Sequence, residues 1–129
     1  MIQTTHGKAY NAFIALSQVR SLVKGMDALH VFHMRNMLKE AVDFMAEEEM
    51  RLVGEAGGTV TDSGMVIIPD PAKKAEYMKA RLELDGMPYE ADADPVIIRI
   101  DRCPDVTGEQ IEMMDGFVQF VEGDSNGDK

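Results

Sequence analysis

The chain has 129 residues, of which 23 are Asp or Glu and 13 are Lys or Arg, so its formal net charge is −10. Its apolar fraction of 45% is too high for a wholly disordered chain, and its one cysteine excludes an internal disulfide framework and a cysteine-rich metal site. No run approaches the roughly 20 apolar residues of a membrane-spanning helix, and no signal peptide is recognised. The sequence therefore predicts one α+β domain over residues 1–122, a flexible acidic tail over residues 123–129 and a cytoplasmic location.

The N-terminal part of the chain predicts two amphipathic helices that pack as an antiparallel hairpin. Apolar side chains recur at three- and four-residue steps over about Lys8–Lys24 and again over about Ala28–Gly54. Gly25 is expected to end the first helix, and Asp27 is expected to cap the second. Three apolar side chains lie off the main stripe of the second helix, so we expect a third element or a second copy of the chain to cover them: Phe32, Met37 and Phe44.

A small β-sheet is predicted in the second half of the chain. β-Branched residues on both sides of an Asp-Ser-Gly turn at residues 62–64 are typical of a β-hairpin that joins Thr59–Thr61 to Met65–Ile68. Val96–Ile100 is the clearest strand, and its consecutive β-branched residues predict that it is buried on both faces or central in the sheet. We expect it to pair with Met65–Ile68, so that the sheet consists of the hairpin and one further strand.

Two shorter helices complete the predicted α+β fold around the two-helix hairpin. One is expected over about Pro71–Leu84, with proline at its first position, and a polar connection over Met87–Pro95 follows it. Thr107 begins a capping box for the second short helix, Gly108–Asp115. The apolar segment Phe117–Val121 fits either a strand or a helical turn.

The net negative charge is concentrated in the C-terminal part of the chain. Residues 1–81 carry 10 acidic and 10 basic side chains, whereas residues 82–129 carry 13 acidic and only 3 basic ones. A surface of this sign repels nucleic-acid phosphates and attracts basic proteins, although it also serves solubility alone. We predict a docking face for a basic partner, formed by five carboxylates: Asp101, Asp105, Glu109, Glu112 and Asp115.

The residues that most often carry chemistry do not assemble into a recognisable site in the sequence. His30 and His33 lie three residues apart with Asp27 one turn earlier, which is an incomplete ligand shell for zinc or iron. Cys103 has no base nearby in sequence that would make it a nucleophile. We therefore predict no catalytic residues, no cofactor and no metal site, with metal binding by the two histidines left open.

Five features follow one another along the chain. Ala9–Ala12 opens a helical pair, and a stretch rich in Glu and Met ends in glycine at Glu49–Gly58. A strand leads into a proline-capped helix at Ile67–Leu84, an apolar strand follows at Val96–Ile100, and a capped short helix runs into a final aromatic segment at Thr107–Phe120. This layout resembles that of small acidic proteins encoded by tailed bacteriophages and prophages. The resemblance implies a viral accessory protein that acts by contact with other proteins in the host cytoplasm, and it carries over no catalytic residues.

Taken together, these features predict a non-enzymatic phage or prophage accessory protein that acts by protein–protein interaction. Its partner is expected to be a basic protein surface or further copies of the same chain. Inhibition of a host protein through the acidic face is one way in which such a contact would act. Direct binding of nucleic acid or of a membrane is not expected. Two alternatives stay open: a structural subunit of the virion or of its assembly, and a binder of a small nucleotide signal with Arg99 and Arg102 lining its pocket.

Overall fold

Helices and short strands follow one another in the α+β arrangement predicted from the sequence, which is thereby confirmed. The computed structural model describes residues 1–122, so the predicted tail over residues 123–129 lies outside the described residues. In that range the helices are α1 (His6–Val19), α2 (Gly25–Glu55), α3 (Pro71–Asp85) and α4 (Gly108–Met113). The strands of the same range are β1 (Ile2–Thr5), β2 (Thr59–Val60), β3 (Val66–Ile67), β4 (Pro88–Ala91), β5 (Val96–Arg99) and β6 (Val118–Val121).

Helices α1 and α2 pack against each other as the predicted hairpin. Arg35 of α2 donates a hydrogen bond from Nε to Ser17 Oγ of α1 at 2.7 Å, and its guanidinium lies 4.6 Å from the centre of the Phe13 ring. The short connection between the two helices, together with these contacts, fixes the antiparallel arrangement. The apolar faces of both helices are thereby turned toward a shared core.

The junction between α1 and α2 differs from the prediction. α1 ends at Val19, before Gly25. Val23 is buried in the non-helical connection that follows, so the apolar pattern extends beyond the end of the helix. Gly25 instead begins α2, and its φ of +60° lies in the left-handed region that favours glycine. Asp27 does not cap α2, since Lys24 holds the cap position; Asp27 lies in the first helical turn, where a negative charge favours the helix dipole.

Strand pairing produces three separate two-stranded sheets in residues 1–122 instead of one. β1 pairs with β4 and β2 with β3, both antiparallel, whereas β5 pairs in parallel with β6. The predicted pairing of Val96–Ile100 with Met65–Ile68 is therefore wrong. The predicted polar connection Met87–Pro95 contains β4, and the undecided segment Phe117–Val121 is a strand from Val118 onward.

The two faces of β5 have different environments, which corrects the expectation of burial on both. Ile98 is 1% exposed and belongs to the core, whereas Ile97 is 62% exposed on the opposite face. Alternating side chains along a strand point to opposite faces. The β-branched residues of β5 therefore form one face that packs in the core and one apolar face at the surface.

Side-chain caps at the two shorter helices match the sequence signals. Asp70 Oδ1 accepts a hydrogen bond from the Ala72 backbone N–H at 2.9 Å, at the start of α3. In α4, Thr107 Oγ1 accepts from Gln110 N at 3.2 Å, and Gln110 Oε1 accepts from Thr107 N at 3.0 Å. The predicted capping box is confirmed, and it fixes where α4 begins.

The core lies where α1, α2 and α4 meet the sheet of β5 and β6. Its largest fully buried side chains include Leu16, Leu38, Ile98, Met114 and Phe117. α3 contributes little to this core; it is fixed to α2 by Arg81, which donates from Nε to Glu49 Oε2 at 2.6 Å and also pairs with Asp85. No helix in the described part of the chain has both the length and the apolar character needed to cross a bilayer.

We expect the Cys103 thiol to react slowly with a disulfide reagent while the protein is folded. Its side chain is fully buried and donates weakly from Sγ to the Arg99 carbonyl oxygen at 3.6 Å. Burial raises the pKa of the Cys103 thiol, and the charges of Asp27 and Asp101 raise it further. Because the thiolate is the reactive form, reaction should be limited by opening of the fold and should become fast in denaturant. Fast, complete labelling of the native protein near neutral pH would contradict this burial.

Candidate functional site

The five carboxylates predicted to bind a partner all lie at the surface. Each is exposed: Asp101, Asp105, Glu109, Glu112 and Asp115. The first two lie in and after a 3-10 turn over Ile100–Arg102, and the last three lie on α4 or directly after it. The C-terminal concentration of negative charge is therefore carried by neighbouring segments of the chain and can act on an approaching basic protein.

Arg99 and Arg102, the basic candidates for a nucleotide pocket, are each placed beside a carboxylate. Arg99 donates from Nη2 to Asp101 Oδ2 at 2.7 Å and from Nε to Oδ1 at 3.1 Å. Arg102 Nη1 lies 4.0 Å from Asp27 Oδ2 on α2. The first pair partly neutralises Asp101, and neither arginine lines any of the clefts described below. Each guanidinium is therefore placed beside a carboxylate of the chain itself, and the nucleotide-binding alternative stays a prediction.

Two of the predicted acidic residues border a cleft between β1 and the end of α4. The cleft has a volume of about 610 Å³, and Glu112 and Asp115 form part of its rim. Lys8 lies on the same rim and offsets part of their charge. Its lining mixes polar with apolar side chains, among them Ile2 and Met113.

A second concave surface follows α2 and was not predicted from the sequence. One cleft of about 450 Å³ lies between α2 and residues 93–97, and a neighbouring cleft of about 540 Å³ lies between α2 and residues 89–92. Met37 lines both clefts, so they adjoin. We call the combined surface the α2 groove. It extends along α2 from His30 to Phe44, which corresponds to about 21 Å of helix.

The first cleft forms the apolar end of the groove. Its walls include His30, His33, Met34, Met37, Val96 and Ile97. Ile97 is 62% exposed, and on the outer side of α2 the ring of Phe32, 52% exposed, lies 5.6 Å from the His33 ring. Exposed apolar side chains grouped around a cleft are typical of surfaces that bind other proteins.

The second cleft forms the acidic end of the groove, and it combines aromatic rings with carboxylates. Its walls include His6, Glu40, Phe44, Tyr89, Glu90 and Asp92. The His6 ring contacts both of the other rings, with centroid distances of 5.5 Å to Phe44 and 5.5 Å to Tyr89. Burial raises the pKa of the Tyr89 hydroxyl, and the charge of Glu40 raises it further.

Main-chain pairing holds these side chains in place. His6 begins α1, and its backbone N–H donates to the Met87 carbonyl oxygen at 2.8 Å. The Nδ1 atom of the His6 ring lies 3.0 Å from the same carbonyl oxygen. β1 and β4 pair directly beside this contact, with Thr4 opposite Tyr89. The start of α1 and the strand β4 are thus fixed to each other by hydrogen bonds that do not involve α2.

The structure brings His30 and His33 to the same cleft. Both histidines line the apolar end, and Asp94 lies on the same cleft. Within residues 1–122, no three His, Cys, Asp or Glu side chains lie close enough together to hold a metal ion. The two imidazoles therefore serve as partly polar wall groups that can donate or accept hydrogen bonds.

The sequence carried one signal that pointed to this groove. Phe32, Met37 and Phe44 lie off the core stripe of α2 and were expected to be covered. Residues 89–97 cover Met37 in part, whereas Phe32 and Phe44 remain 52% and 36% exposed. A third element therefore supplies only part of the cover. The sequence does not predict Tyr89 and Ile97 as groove residues. Tyr89 falls in the predicted polar connection, and Ile97 falls in a strand predicted to be buried on both faces or central in the sheet.

No protein-family model, no curated protein and no solved structure significantly matches the chain. The function is therefore inferred from the groove and from the charge distribution.

Proposed function

We propose that the protein is a non-enzymatic binding protein that holds a segment of a basic partner protein in the α2 groove. The main support is the continuity of the two clefts through Met37, which places an apolar surface and a negatively charged aromatic surface along one face. A bound segment with one apolar side chain near Ile97 and one cationic side chain near Glu40 would match both ends. The role of a viral accessory protein that inhibits a host protein is consistent with this activity.

Charge selects the occupant of the groove. Among the described residues, no Lys or Arg lines either cleft, whereas Glu40, Glu90 and Asp92 line the acidic end. A second copy of this chain would bring its own net charge of −10, and the two copies would repel each other. A basic partner is attracted by the same field, and the carboxylates around α4, including Glu109 and Glu112, would add to this steering.

The two kinds of group have different roles in the proposed interaction. Apolar side chains such as Ile97 supply affinity, because covering them removes exposed apolar area from water. The carboxylates supply selection and faster association, and their effect weakens as salt increases. The exposed acidic face around α4 is thus proposed to orient the partner, and the groove is proposed to bind it.

The proposal is tested by selecting binders from a displayed library of random peptides of about 12 residues, which are long enough to span the groove when extended. We expect enriched peptides to combine apolar residues with Lys or Arg. Ile97→Asp should weaken their binding by at least about tenfold, since it places a charge at the apolar end. Leu82→Asp is the matched control, because Leu82 is also exposed, at 71%, but lies on α3 outside the groove.

Three results of this selection would count against the proposal. One is the enrichment of acidic or uncharged peptides, which would remove the role of the carboxylates. Another is binding that Leu82→Asp abolishes and Ile97→Asp leaves unchanged, which would move the site to α3. The third is self-association of the purified protein that Ile97→Asp disrupts, which would make a second copy the occupant of the groove.

A further inference from the structure

We infer that the acidic end of the α2 groove is a binding site for an alkylated ammonium group, held against the rings of Phe44 and Tyr89 and balanced by carboxylates. This inference deepens the proposed function, and it rests on that function only where the ammonium group is a lysine side chain of the partner. A free small organic cation would use the same chemistry. Binding of an alkylated ammonium group can therefore be tested without knowing the partner protein.

The first support is the convergence of aromatic rings from three elements on one cleft. His6 comes from the start of α1, Phe44 from α2 and Tyr89 from β4, and all three line the same volume of about 540 Å³. The ring centroids of Phe44 and Tyr89 each lie 5.5 Å from that of His6, at interplanar angles of 51° and 83°. Each of the three residues also lines the open volume of the cleft, and the face of an aromatic ring attracts cations.

The second support is the sign of the charge at the cleft. Glu40, Glu90 and Asp92 line it, and no Lys or Arg does so among the described residues. Glu40 acts on the cleft itself, because its charge contributes to the raised pKa of the Tyr89 hydroxyl. A neutral apolar ligand would gain nothing from these carboxylates, and an anion would be repelled by them.

The third support is the mixture of apolar and polar wall atoms. Met37, which the cleft shares with the apolar end, and Ala41 line its α2 side. Methyl or methylene groups attached to the nitrogen would contact these side chains, whereas the positive charge would face the rings and carboxylates. A bare metal ion lacks the apolar part, and no three potential ligands lie close enough together for one in the described part of the chain.

The test compares choline with 3,3-dimethylbutan-1-ol, which has the same shape with carbon in place of the charged nitrogen. Binding is followed by backbone amide NMR shifts of the full chain. We expect choline to shift signals around His6, Phe44 and Tyr89, and the alcohol to cause no saturable shift there. Equal binding of the two probes, or choline shifts that do not saturate at this cleft, would overturn the inference.

Two pairs of variants separate the ring contribution from the charge contribution. Tyr89→Leu should weaken choline binding by about fivefold or more, while Tyr89→Phe, which keeps the ring, should retain it. Glu40→Gln should weaken binding severalfold, while Glu47→Gln, the same change at an exposed position of α2 outside the cleft, should have no effect. Unchanged binding in both Tyr89→Leu and Glu40→Gln would overturn the inference even if choline binds elsewhere.

The two sources of the cation are distinguished by competition. If the site receives a lysine of the partner, choline should displace the lysine-containing peptides selected on the groove, and Ile97→Asp should abolish peptide binding but leave choline binding intact. If the natural ligand is a free cation, choline binds without affecting those peptides. Peptide binding at Ile97 without any choline site would leave the proposed function standing and refute the cation site alone.

Discussion

Replacing Phe117 with alanine is expected to lower the free energy of unfolding by about 3–5 kcal/mol. Phe117 is the largest fully buried side chain in the described chain, and it has no exposed surface. Its backbone also joins two elements: its N–H donates to the Met114 carbonyl oxygen at 2.9 Å, and its carbonyl oxygen accepts from Val96 N at 2.9 Å. The cavity left by the ring would lie where α4 meets the β5–β6 sheet, and both are needed to close the core.

Urea unfolding followed by circular dichroism measures this effect. Gln119→Ala is the control, because Gln119 is exposed in the same strand, and its loss should change stability by no more than about 0.5 kcal/mol. A loss below about 1 kcal/mol in Phe117→Ala would mean that the site is not packed as the structure shows.

Replacing Gly58 with alanine is expected to destabilise the protein by about 1–3 kcal/mol. An added Cβ would lie 2.7 Å from Ile68 Cγ1 and 2.8 Å from the carbonyl oxygen of Ile67. Both distances are shorter than van der Waals contact, and the second neighbour is backbone, which cannot move without disturbing the β2–β3 hairpin. The hairpin and the end of α2 would therefore have to separate.

A matched glycine in the same region should give the opposite result. Gly54 lies within α2, and an added Cβ there would meet no atom within 4 Å. Gly54→Ala should therefore stabilise the protein by about 0.5–1 kcal/mol, since alanine favours the helix. Thermal unfolding of the two variants beside the wild type is the measurement. Equal effects of the same sign would show that the close approach at Gly58 does not exist.

Local signals in the sequence predicted the parts of the fold that local interactions determine. The cap at Asp70, the capping box at Thr107 and Gln110 and the turn at residues 62–64 depend on residues at most a few positions apart. The two long helices were also predictable, because their apolar spacing repeats over many turns. The errors at Val19 and Gly25 arose where a buried residue continues the pattern beyond the helix.

Long-range pairing could not be predicted in the same way. β1 and β4 pair Ile2 with Ala91, and neither the sequence Pro-Tyr-Glu-Ala nor its surroundings has the β-branched pattern of a strand. β5 looked like a partner for the hairpin because both are apolar, whereas its actual partner, β6, follows after the crossover through α4. Strand preference alone does not specify which edge a strand joins.

The candidate groove depends on this long-range pairing, which is why it was missed. Glu40 and Phe44 face Tyr89 only because β4 is held beside the start of α1. The sequence drew attention to the carboxylates of residues 101–115 instead, because charge counts require no knowledge of the fold. Those carboxylates are exposed in the structure. The α2 groove, in contrast, has apolar side chains at one end and carboxylates beside aromatic rings at the other.

The central claim is that a basic, partly apolar segment binds along the α2 groove. Its most direct test is the set of backbone amide NMR shifts caused by a lysine- or arginine-containing peptide selected on the full chain. We expect the largest shifts along α2 between His30 and Phe44 and in residues 89–97 opposite. Shifts confined to α3 around Leu82, or to the carboxylates of α4 with none along α2, would contradict it.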